Sequence, residues 1–332
     1  MSTGPTVGEM GEFALIARIN QGRTQGPAVR LGPGDDAAVL AAARGHFAVS
    51  TDMLIEDRHF RRDWSSPEDI GRKAIAQNAA DIYAMGAEPT GYVIGVGIPP
   101  DTPAEAVLRL ADGFWDEAAR AGGSVAGGDI VRSPHWVISV TAFGDPLDDA
   151  YIPRSGARAG GTVAIAGSPG WSAAGYAVLT APEVAGNAET QRALAAHRAP
   201  RPPYDLVRSA IRDGRAPGAL TDISDGLLAD LGHLADASGV AIDVDFAALA
   251  DPALRRCADA LEGDARQWIL TGGEDHVFAG VWPPGSAPPS GWTAIGSIEA
   301  GQGVTVGGVR YEGPTGWEAF AGTESAKSDR SR

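Results

Sequence analysis

Residues 66–98 read SPEDIGRKAIAQNAADIYAMGAEPTGYVIGVGI, and this stretch predicts a helix followed by a buried strand. Ser66 is a typical N-cap residue, and the proline that follows it suits the first position of a helix. Gly86 predicts the end of the helix. Tyr92 to Ile98 is an apolar run of the length of a strand, so helix and strand are expected to alternate in this half of the chain.

Asp81 lies inside the predicted helix, on the same face as Ala74 and Asn78. The residues around it are small and apolar, which indicates a buried helix that carries two polar side chains. A solvated helix face is the alternative interpretation. A buried carboxylate needs a partner such as a metal ion, and this makes Asp81 a candidate ligand.

Further short helices and strands are predicted on both sides of this stretch. A helix is expected over Glu12 to Asn20, and Thr102 is expected to open another helix with a capping box. A strand begins the second half at Thr162, and leucines recur at helical spacing behind Asp225, which is expected in the first turn of that helix. Neither half alternates regularly, so the predicted class is α+β with two mixed α/β domains.

The length of 332 residues is large for a single core and favours two domains. A polar, turn-rich segment over residues 145–161 is the predicted boundary. We therefore expect one domain over residues 1–148, a second over residues 149–322, and a polar tail over residues 323–332.

The composition limits the classes of function. The net charge of -15 repels nucleic acid and anionic membrane surfaces, and no apolar run is long enough to cross a bilayer. The single cysteine, Cys257, excludes a disulfide framework and a cysteine-based zinc site. No signal peptide is recognised, so a cytoplasmic location is expected. A phosphorylated substrate would also be repelled unless a cation mediates its binding.

Acidic residues cluster in five short contexts, most of them next to glycine and at predicted strand ends. Any one of them is more typical of a turn or a helix cap than of a site. Five together indicate a site, because strand ends are where sites are assembled in α/β architectures. The clusters are Gly34-Asp35-Asp36, Ser50-Thr51-Asp52, Gly127-Gly128-Asp129, Thr221-Asp222-Ile223-Ser224-Asp225-Gly226 and Gly272-Gly273-Glu274-Asp275.

The chemistry of these donors favours a hard cation. Carboxylates, hydroxyls and carbonyls suit magnesium, calcium or manganese, and the six histidines show no paired metal-binding spacing. Magnesium is usually held by few carboxylates and by phosphate oxygens, which would let an acidic pocket accept phosphates. Structural calcium is an alternative, but the chain has no EF-hand loop.

The common phosphate-binding motifs are absent. The only lysines are Lys73 and Lys327, and neither lies in a Walker A loop. Protein-kinase motifs, a dinucleotide fingerprint and a nucleophile elbow are also missing. Phosphate chemistry in this chain therefore requires a less common nucleotide-binding fold.

The ordered set of motifs closely resembles the thiamine-monophosphate kinase family, whose superfamily includes aminoimidazole ribonucleotide synthetase and selenophosphate synthetase. The resemblance covers about residues 9 to 320. The motifs are Gly11-Glu12-Phe13, GPGDDAA at 32–38, Ser50-Thr51-Asp52 with His59-Phe60, KAIAQNAADIYAMG at 73–86, Gly127-Gly128-Asp129, Arg154-Ser155-Gly156-Ala157, TDISDGLLADLG at 221–232 and Gly272-Gly273-Glu274-Asp275.

The resemblance implies transfer of the γ-phosphate of ATP to thiamine monophosphate, with several Mg²⁺ ions and without a covalent intermediate. It also implies a homodimer formed through the N-terminal domain. The implied metal ligands are Asp36, Ser50, Thr51, Asp52, Asp81, Asp129, Asp222 and Asp225. The implied nucleotide contacts are Gly128, Asp129, Arg154 and Ser224, and the implied thiamine monophosphate contacts are His59, Glu274 and Trp317.

Two positions depart from the family pattern. His276 stands where the family commonly has tyrosine, and Ala319 stands where it often has histidine. Trp317 has core packing as its alternative interpretation, and Arg154 has a domain-boundary ion pair. Among the sister enzymes, the selenophosphate synthetases carry a reactive N-terminal cysteine, and the hydrogenase-maturation relatives end in a functional cysteine. Aminoimidazole ribonucleotide synthetase is the alternative that the fold leaves open, although the Ser-Thr-Asp and Gly-Gly-Glu-Asp motifs are more similar to the thiamine-monophosphate kinases.

Overall fold

The computed structural model describes residues 4–32, 38–181, 183 and 186–317. Its first elements are two short helices and a two-stranded antiparallel ribbon, namely α1 (Val7–Met10), α2 (Glu12–Asn20), β1 (Val29–Leu31) and β2 (Val39–Leu40). Helix α2 has the predicted bounds. Three predictions lie outside the described residues: the ligand Asp36, the departure at Ala319 and the polar tail.

The first half then forms a four-stranded sheet with two helices on one face. The strands are β3 (Ala48–Ile55), β4 (Ala87–Ile98), β5 (Val125–Arg132) and β6 (Val137–Pro146), and the helices are α3 (Pro67–Ala84) and α4 (Ala104–Ala121). The strand order is β3-β6-β4-β5, so β3 and β5 are the edges. β6 is antiparallel to both neighbours, whereas β4 and β5 are parallel and are joined by the crossover helix α4.

The second half forms a seven-stranded sheet with several helices. The strands are β7 (Thr162–Ala166), β8 (Ala219–Ile223), β9 (Ala241–Val244), β10 (Val277–Trp282), β11 (Trp292–Glu299), β12 (Gly303–Val306) and β13 (Val309–Arg310). They lie in the order β13-β12-β9-β11-β7-β10-β8. The helices are α5 (Trp171–Thr180), α6 (Ala188–Arg198), α7 (Tyr204–Arg212), α8 (Leu227–Ser238), α9 (Pro252–Ala260) and α10 (Ala265–Thr271). The predicted α+β class with two mixed α/β units is confirmed.

Helix α3 lies between the two halves and is buried along most of its length. It packs on β3, β4 and β6 on one side and on α7, β8 and β10 on the other. Its start is the predicted one, because the Ser66 hydroxyl accepts a hydrogen bond from the Asp69 amide at 3.2 Å. The buried-helix interpretation is confirmed, and the solvated-face alternative is wrong.

The predicted capping box at Thr102 is wrong. Helix α4 begins after Pro103, and no side chain caps it. The Ala104 amide instead donates to the Pro5 carbonyl at 2.9 Å, and the Val7 amide donates to the Thr102 carbonyl at 2.8 Å. The N-terminal segment therefore takes the place of a side-chain cap, which the local sequence does not reveal.

The face of the first sheet that is turned away from α3 and α4 is open. Val49, Met53 and Ile55 project from β3 on this face, and Val131 projects from β5; all four are exposed. We call this the open face. Alternation along a strand places their neighbours on the covered face, which packs against the helices.

The chain leaves the first sheet at Pro146 and enters the second at Thr162. The predicted boundary between residues 148 and 149 falls in this connection and stays a prediction. Among the described residues, no helix combines the length and the apolar character needed to cross a membrane.

Candidate active site

Three carboxylates from distant parts of the chain face one another between the two halves. Asp52 projects from β3, Asp81 from α3 and Asp222 from β8. Burial, together with the charges of Asp222 and Asp52, raises the pKa of Asp81 to about 7. Burial also raises the pKa of Asp52, with a contribution from Asp222. We call these three residues the central carboxylates.

Side chains of α3 hold the edge strand β3 in place. The Asn78 side-chain oxygen accepts a hydrogen bond from the Asp52 amide at 3.0 Å, and its amide donates to the Ala74 carbonyl at 2.9 Å. The Ser50 hydroxyl donates to Asp81 Oδ2 at 2.6 Å. The spacing of Asn78 and Asp81 on the helix thus matches the spacing of Asp52 and Ser50 on the strand.

Thr51 lies on the other face of the same strand. Its side chain is on the open face, where the hydroxyl donates to the Val140 carbonyl at 2.9 Å. Asp129 is exposed on β5 in register with Gly95 of β4, so it also lies on the open face but at the opposite edge of the sheet. Within one chain, the structure does not bring Thr51 or Asp129 to the central carboxylates.

Gly128 and Asp129 lie inside strand β5, although the sequence placed them at its end. The strand continues because Val93 to Ile98 of β4 pair with it as far as Arg132. A side chain at position 128 would meet the Ile94 carbonyl oxygen at 2.0 Å, so the glycine is required for this close approach.

His276 contacts Asp222 directly. Its Nδ1 lies 3.1 Å from Asp222 Oδ2, and both residues are buried. Burial works against a charge on His276, but the hydrogen bond and the charge of Asp222 outweigh it and raise the pKa of the imidazole. The departure from tyrosine at this position therefore places a basic group against a predicted metal ligand.

A second acidic group lies at the start of α8. Asp230 Oδ2 accepts hydrogen bonds from the amides of Ser224, Asp225 and Gly226 at 3.0, 3.0 and 3.2 Å. Burial raises the pKa of Asp230 to about 7. Asp225, Asp230 and His233 each offer a ligand atom, and these atoms lie within 4.8 Å of one another.

Two details of this group differ from the sequence analysis. Asp225 precedes α8 and is not in its first turn, because Gly226 is the residue before the helix. Asp230, which is in the first turn, was not recognised as a site residue. The sequence signal for Asp230 is an acidic residue in the first turn of a leucine-rich helix, four positions after Gly226.

Lys73 joins residues from both halves. Its Nζ lies 3.1 Å from Glu274 Oε1, and it donates to the carbonyls of His59 at 3.1 Å and His197 at 3.4 Å. His197 Nδ1 lies 3.6 Å from Glu274 Oε2. No local sequence pattern predicts a site role for Lys73 or His197, because their partners are far away along the chain.

The remaining predicted contacts lie nearby. Arg154 is exposed, and its Nε donates to the Thr221 hydroxyl at 3.2 Å. No carboxylate of the described residues pairs with it within 4.0 Å, so the ion-pair alternative is not supported. Trp317 is 48% exposed, its amide donates to the Asp225 carbonyl at 3.0 Å, and Arg58 lies 4.9 Å above its ring. The core-packing alternative for Trp317 is wrong.

These contacts divide the predicted ligands into groups. Ser50 belongs with the central carboxylates, Thr51 and Asp129 lie on the open face, and Asp225 lies beside Asp230. All of the predicted ligands offer oxygen atoms, and the two histidines beside them, His233 and His276, offer nitrogen. The central carboxylates therefore suit a hard divalent cation.

Residues 34–145 match the family described as AIR synthase related protein, N-terminal domain. The thiamine-monophosphate kinase of Mycobacterium tuberculosis (strain ATCC 25618 / H37Rv) is 49% identical over 319 residues, which are 95% of this chain and 93% of that protein. The thiamine-monophosphate kinase of Corynebacterium glutamicum is 40% identical over 331 residues, which are 96% of each chain.

A solved structure described as AaThiL complexed with AMPPCP and TMP has the same fold. Its TM-score is 0.76 and its identity is 31%, and the match covers 96% of this chain and 100% of that chain. The similarity therefore spans both sheets and the region between them.

Proposed function

The chain belongs to the thiamine-monophosphate kinase family and is an ATP-dependent kinase of thiamine monophosphate; we propose that it acts by direct in-line transfer. An oxygen of the acceptor phosphate bonds to the γ-phosphorus of ATP. The bond from that phosphorus to the β–γ bridging oxygen breaks, and its electron pair leaves with ADP. The products are thiamine diphosphate and ADP. The observation that carries the proposal is the convergence of the central carboxylates.

The central carboxylates fit Mg²⁺. Burial and the neighbouring carboxylates raise the pKa values of Asp52 and Asp81, and a divalent cation would relieve this repulsion. When bound, Mg²⁺ would supply the charge that lets the phosphates of ATP and of the acceptor approach each other. We propose Ser50 and the central carboxylates as ligands of this group, with Asp225 as a separate ligand and Asp36 as an additional one.

The chain's own residues bind and orient the nucleotide in this proposal. Arg154 is exposed beside β8 and supplies a fixed cation for phosphate oxygens. Two further residues are proposed to contact the nucleotide: Ser224, which directly follows β8, and Gly128, which lies in β5. The acceptor phosphate is already ionised at neutral pH, so none of these residues has to remove a proton.

Three residues are proposed to bind thiamine monophosphate. Glu274 stays ionised, since the charge of Lys73 outweighs the effect of burial and lowers the pKa of the carboxyl group. An ionised carboxylate suits the cationic ring of thiamine. Trp317 offers an exposed aromatic surface, and the half-buried His59 lies beside Lys73.

We also propose a homodimer that pairs the open faces of two chains. The apolar side chains exposed there support this, because exposed apolar surface is typical of an interface. Pairing the two faces would let Thr51 of one chain meet the edge that carries Asp129 in the other. The dimer thus accounts for the two predicted ligands that one chain keeps apart from the rest.

A cytoplasmic location is proposed as well, supported by the use of ATP as co-substrate and by the single buried cysteine, Cys257.

An activity assay tests the proposal. The purified chain with ATP, Mg²⁺ and thiamine monophosphate is expected to form equal amounts of ADP and thiamine diphosphate. A thermal-shift series with the same components gives a second readout. Stabilisation by calcium alone, with no effect of the two ligands and no product, would contradict it.

A further inference from the structure

The ammonium group of Lys73 has three N–H bonds and three acceptors. These are Glu274 Oε1 at 3.1 Å, the His59 carbonyl at 3.1 Å and the His197 carbonyl at 3.4 Å. Lys73 is 2% exposed, so its charge is shielded from water. No donor remains for a phosphate, and Lys73 therefore does not act as the lysine of a phosphate-binding loop does.

The acceptors of Lys73 come from both halves of the molecule. Lys73 and His59 belong to the first half, whereas Glu274 and His197 belong to the second. His59 and Glu274 are also two of the residues proposed to bind thiamine monophosphate. One buried cation thus fixes the distance between two proposed substrate contacts that lie 215 positions apart.

Glu274 depends on this support because its own backbone is unusual. Its φ of 65° lies in the left-handed region, which disfavours a side chain of this size. The strain is offset by the hydrogen bond from the Glu274 amide to the Ser224 carbonyl at 2.7 Å. The segment is thereby held so that Oε1 meets Lys73, while part of the side chain stays exposed.

The other neighbour of Glu274 does not compete with Lys73. His197 Nδ1 lies 3.6 Å from Glu274 Oε2 and 3.1 Å from the Ser172 hydroxyl. Burial, with a contribution from the charge of Lys73, lowers the pKa of His197 to about 4, so this imidazole is neutral at physiological pH. Lys73 is therefore the cation that holds Glu274, and the open side of the carboxylate is left for a ligand.

We propose that Lys73 is a positioning residue for the acceptor: it holds the Glu274 carboxylate and the His59 segment in the geometry that binds thiamine monophosphate. The proposal rests on the proposed function of Glu274 and His59. It assigns to Lys73 an effect on the acceptor and none on ATP, which binds through other residues.

The test is the variant Lys73→Met, which keeps the length of the side chain and removes the ammonium group. We expect the KM for thiamine monophosphate to rise about tenfold or more, because the Glu274 carboxylate loses the cation that holds it in place. The KM for ATP is expected to stay within about twofold, because the variant weakens the binding of thiamine monophosphate and not that of ATP. Arg72→Met, one position away and in exposed ion pairs, is the matched control and should change neither constant.

A double-mutant cycle separates positioning from a general structural effect. If Lys73 acts through Glu274, Lys73→Met in a Glu274→Gln background should change the KM for thiamine monophosphate far less than it does in the wild type. The double variant also leaves no unpaired carboxylate at this position, so it keeps the test possible if the single variant does not fold.

Each outcome has a distinct meaning. Failure of the wild type to phosphorylate thiamine monophosphate would refute the proposed function itself. An active wild type whose Lys73→Met variant loses ATP and acceptor affinity equally would overturn the positioning role. Additive effects in the double-mutant cycle would overturn it too.

Discussion

Asp81 connects the electrostatics of the site to its chemistry. Its carboxylate accepts a hydrogen bond from Ser50 and faces two further carboxylates, Asp52 of the same half and Asp222 of the second half. In the absence of a cation this arrangement is unfavourable, since like charges in a partly buried place repel. This unfavourable electrostatic energy is consistent with a group of carboxylates that binds an ion and does not stabilise the fold.

Replacing Asp81 by asparagine is expected to reduce turnover by about 100-fold or more, because a metal ligand contributes several kcal/mol to phosphoryl transfer. The fold should be retained, since asparagine keeps the shape and removes the repulsion. Steady-state kinetics and melting temperature are the measurements. Asp236→Asn, an exposed change on α8, is the control; normal turnover in Asp81→Asn would refute the metal role.

The raised pKa of Asp81 predicts a pH dependence of Mg²⁺ binding. Below the pKa of about 7 the carboxyl holds a proton that the ion must displace, so affinity should fall up to about tenfold per pH unit. In the metal-free protein, Asp81 has a higher pKa in the folded state than in the unfolded state. The free energy of unfolding is therefore expected to fall as the pH rises from the unfolded-state pKa toward 7.

The melting temperature measured with and without Mg²⁺ at pH 6, 7 and 8 checks this. The increase caused by Mg²⁺ is expected to be larger at pH 8 than at pH 6. Asp81→Asn should show a smaller increase that depends less on pH. An equal increase at all three pH values in the wild type would contradict the assignment.

Asp81 was predictable because its helix surrounds it with small apolar residues, so the carboxylate stands out in the local sequence. Lys73 and Asp230 were not. Lys73 finds its carboxylate 201 positions later, and a single lysine in a helix gives no sign of such a partner. Asp230 was obscured by Asp225, which has the more conspicuous glycine-flanked context.

Helices α3 and α4 approach each other closely because each has a glycine at the contact. A Cβ on Gly71 would lie 2.3 Å from the Leu110 carbonyl oxygen, and one on Gly113 would lie 2.2 Å from the Glu68 carbonyl oxygen. Both obstacles are backbone atoms, which cannot rotate away. This contact sets the position of α3 and therefore the position of Asp81.

Gly71→Ala is expected to destabilise the protein by about 1–3 kcal/mol, because overpacking outweighs the better helix propensity of alanine. The melting temperature should fall by several degrees, about 2–4 °C per kcal/mol for domains of this size. Gly232→Ala on α8 is the matched control: no described atom lies within 4 Å of its Cβ, so it should stabilise slightly. Equal effects of both changes would contradict the account.

Helices were predicted well where their ends have local signals. Ser66 and the proline after it determine where α3 begins, and the structure confirms this start. Gly127 and Gly128 favour a turn in the local sequence, whereas pairing with β4 continues strand β5 as far as Arg132. Pairing partners are non-local, so the local sequence could not supply them.

The molecule as a whole places its predicted ligands on two faces of one sheet. Asp52 lies on the covered face at the β3 edge, and Asp129 lies on the open face at the β5 edge. Strands in a sheet are about 4.8 Å apart, so the two edges of a four-stranded sheet are separated by about 14 Å. This separation depends on the strand order, which no local sequence pattern indicates.

If two open faces pair across a twofold axis that runs along the strands, the β5 edge of one chain lies near the β3 edge of the other. A complete site would then combine Asp81 of one chain with Asp129 of its partner. Mixing inactive Asp81→Asn and Asp129→Asn chains should therefore restore activity. About half of the dimers would be mixed, and each would hold one intact site, so about a quarter of wild-type activity is expected.

The experiment uses co-expressed, differently tagged chains, with light scattering to establish the dimer and kinetics to measure activity. Each variant alone should be inactive, which is the internal control. Mixtures that stay inactive although the mixed dimer is isolated would show that each chain supplies both residues to its own site. In that case the open face would serve association without completing the site.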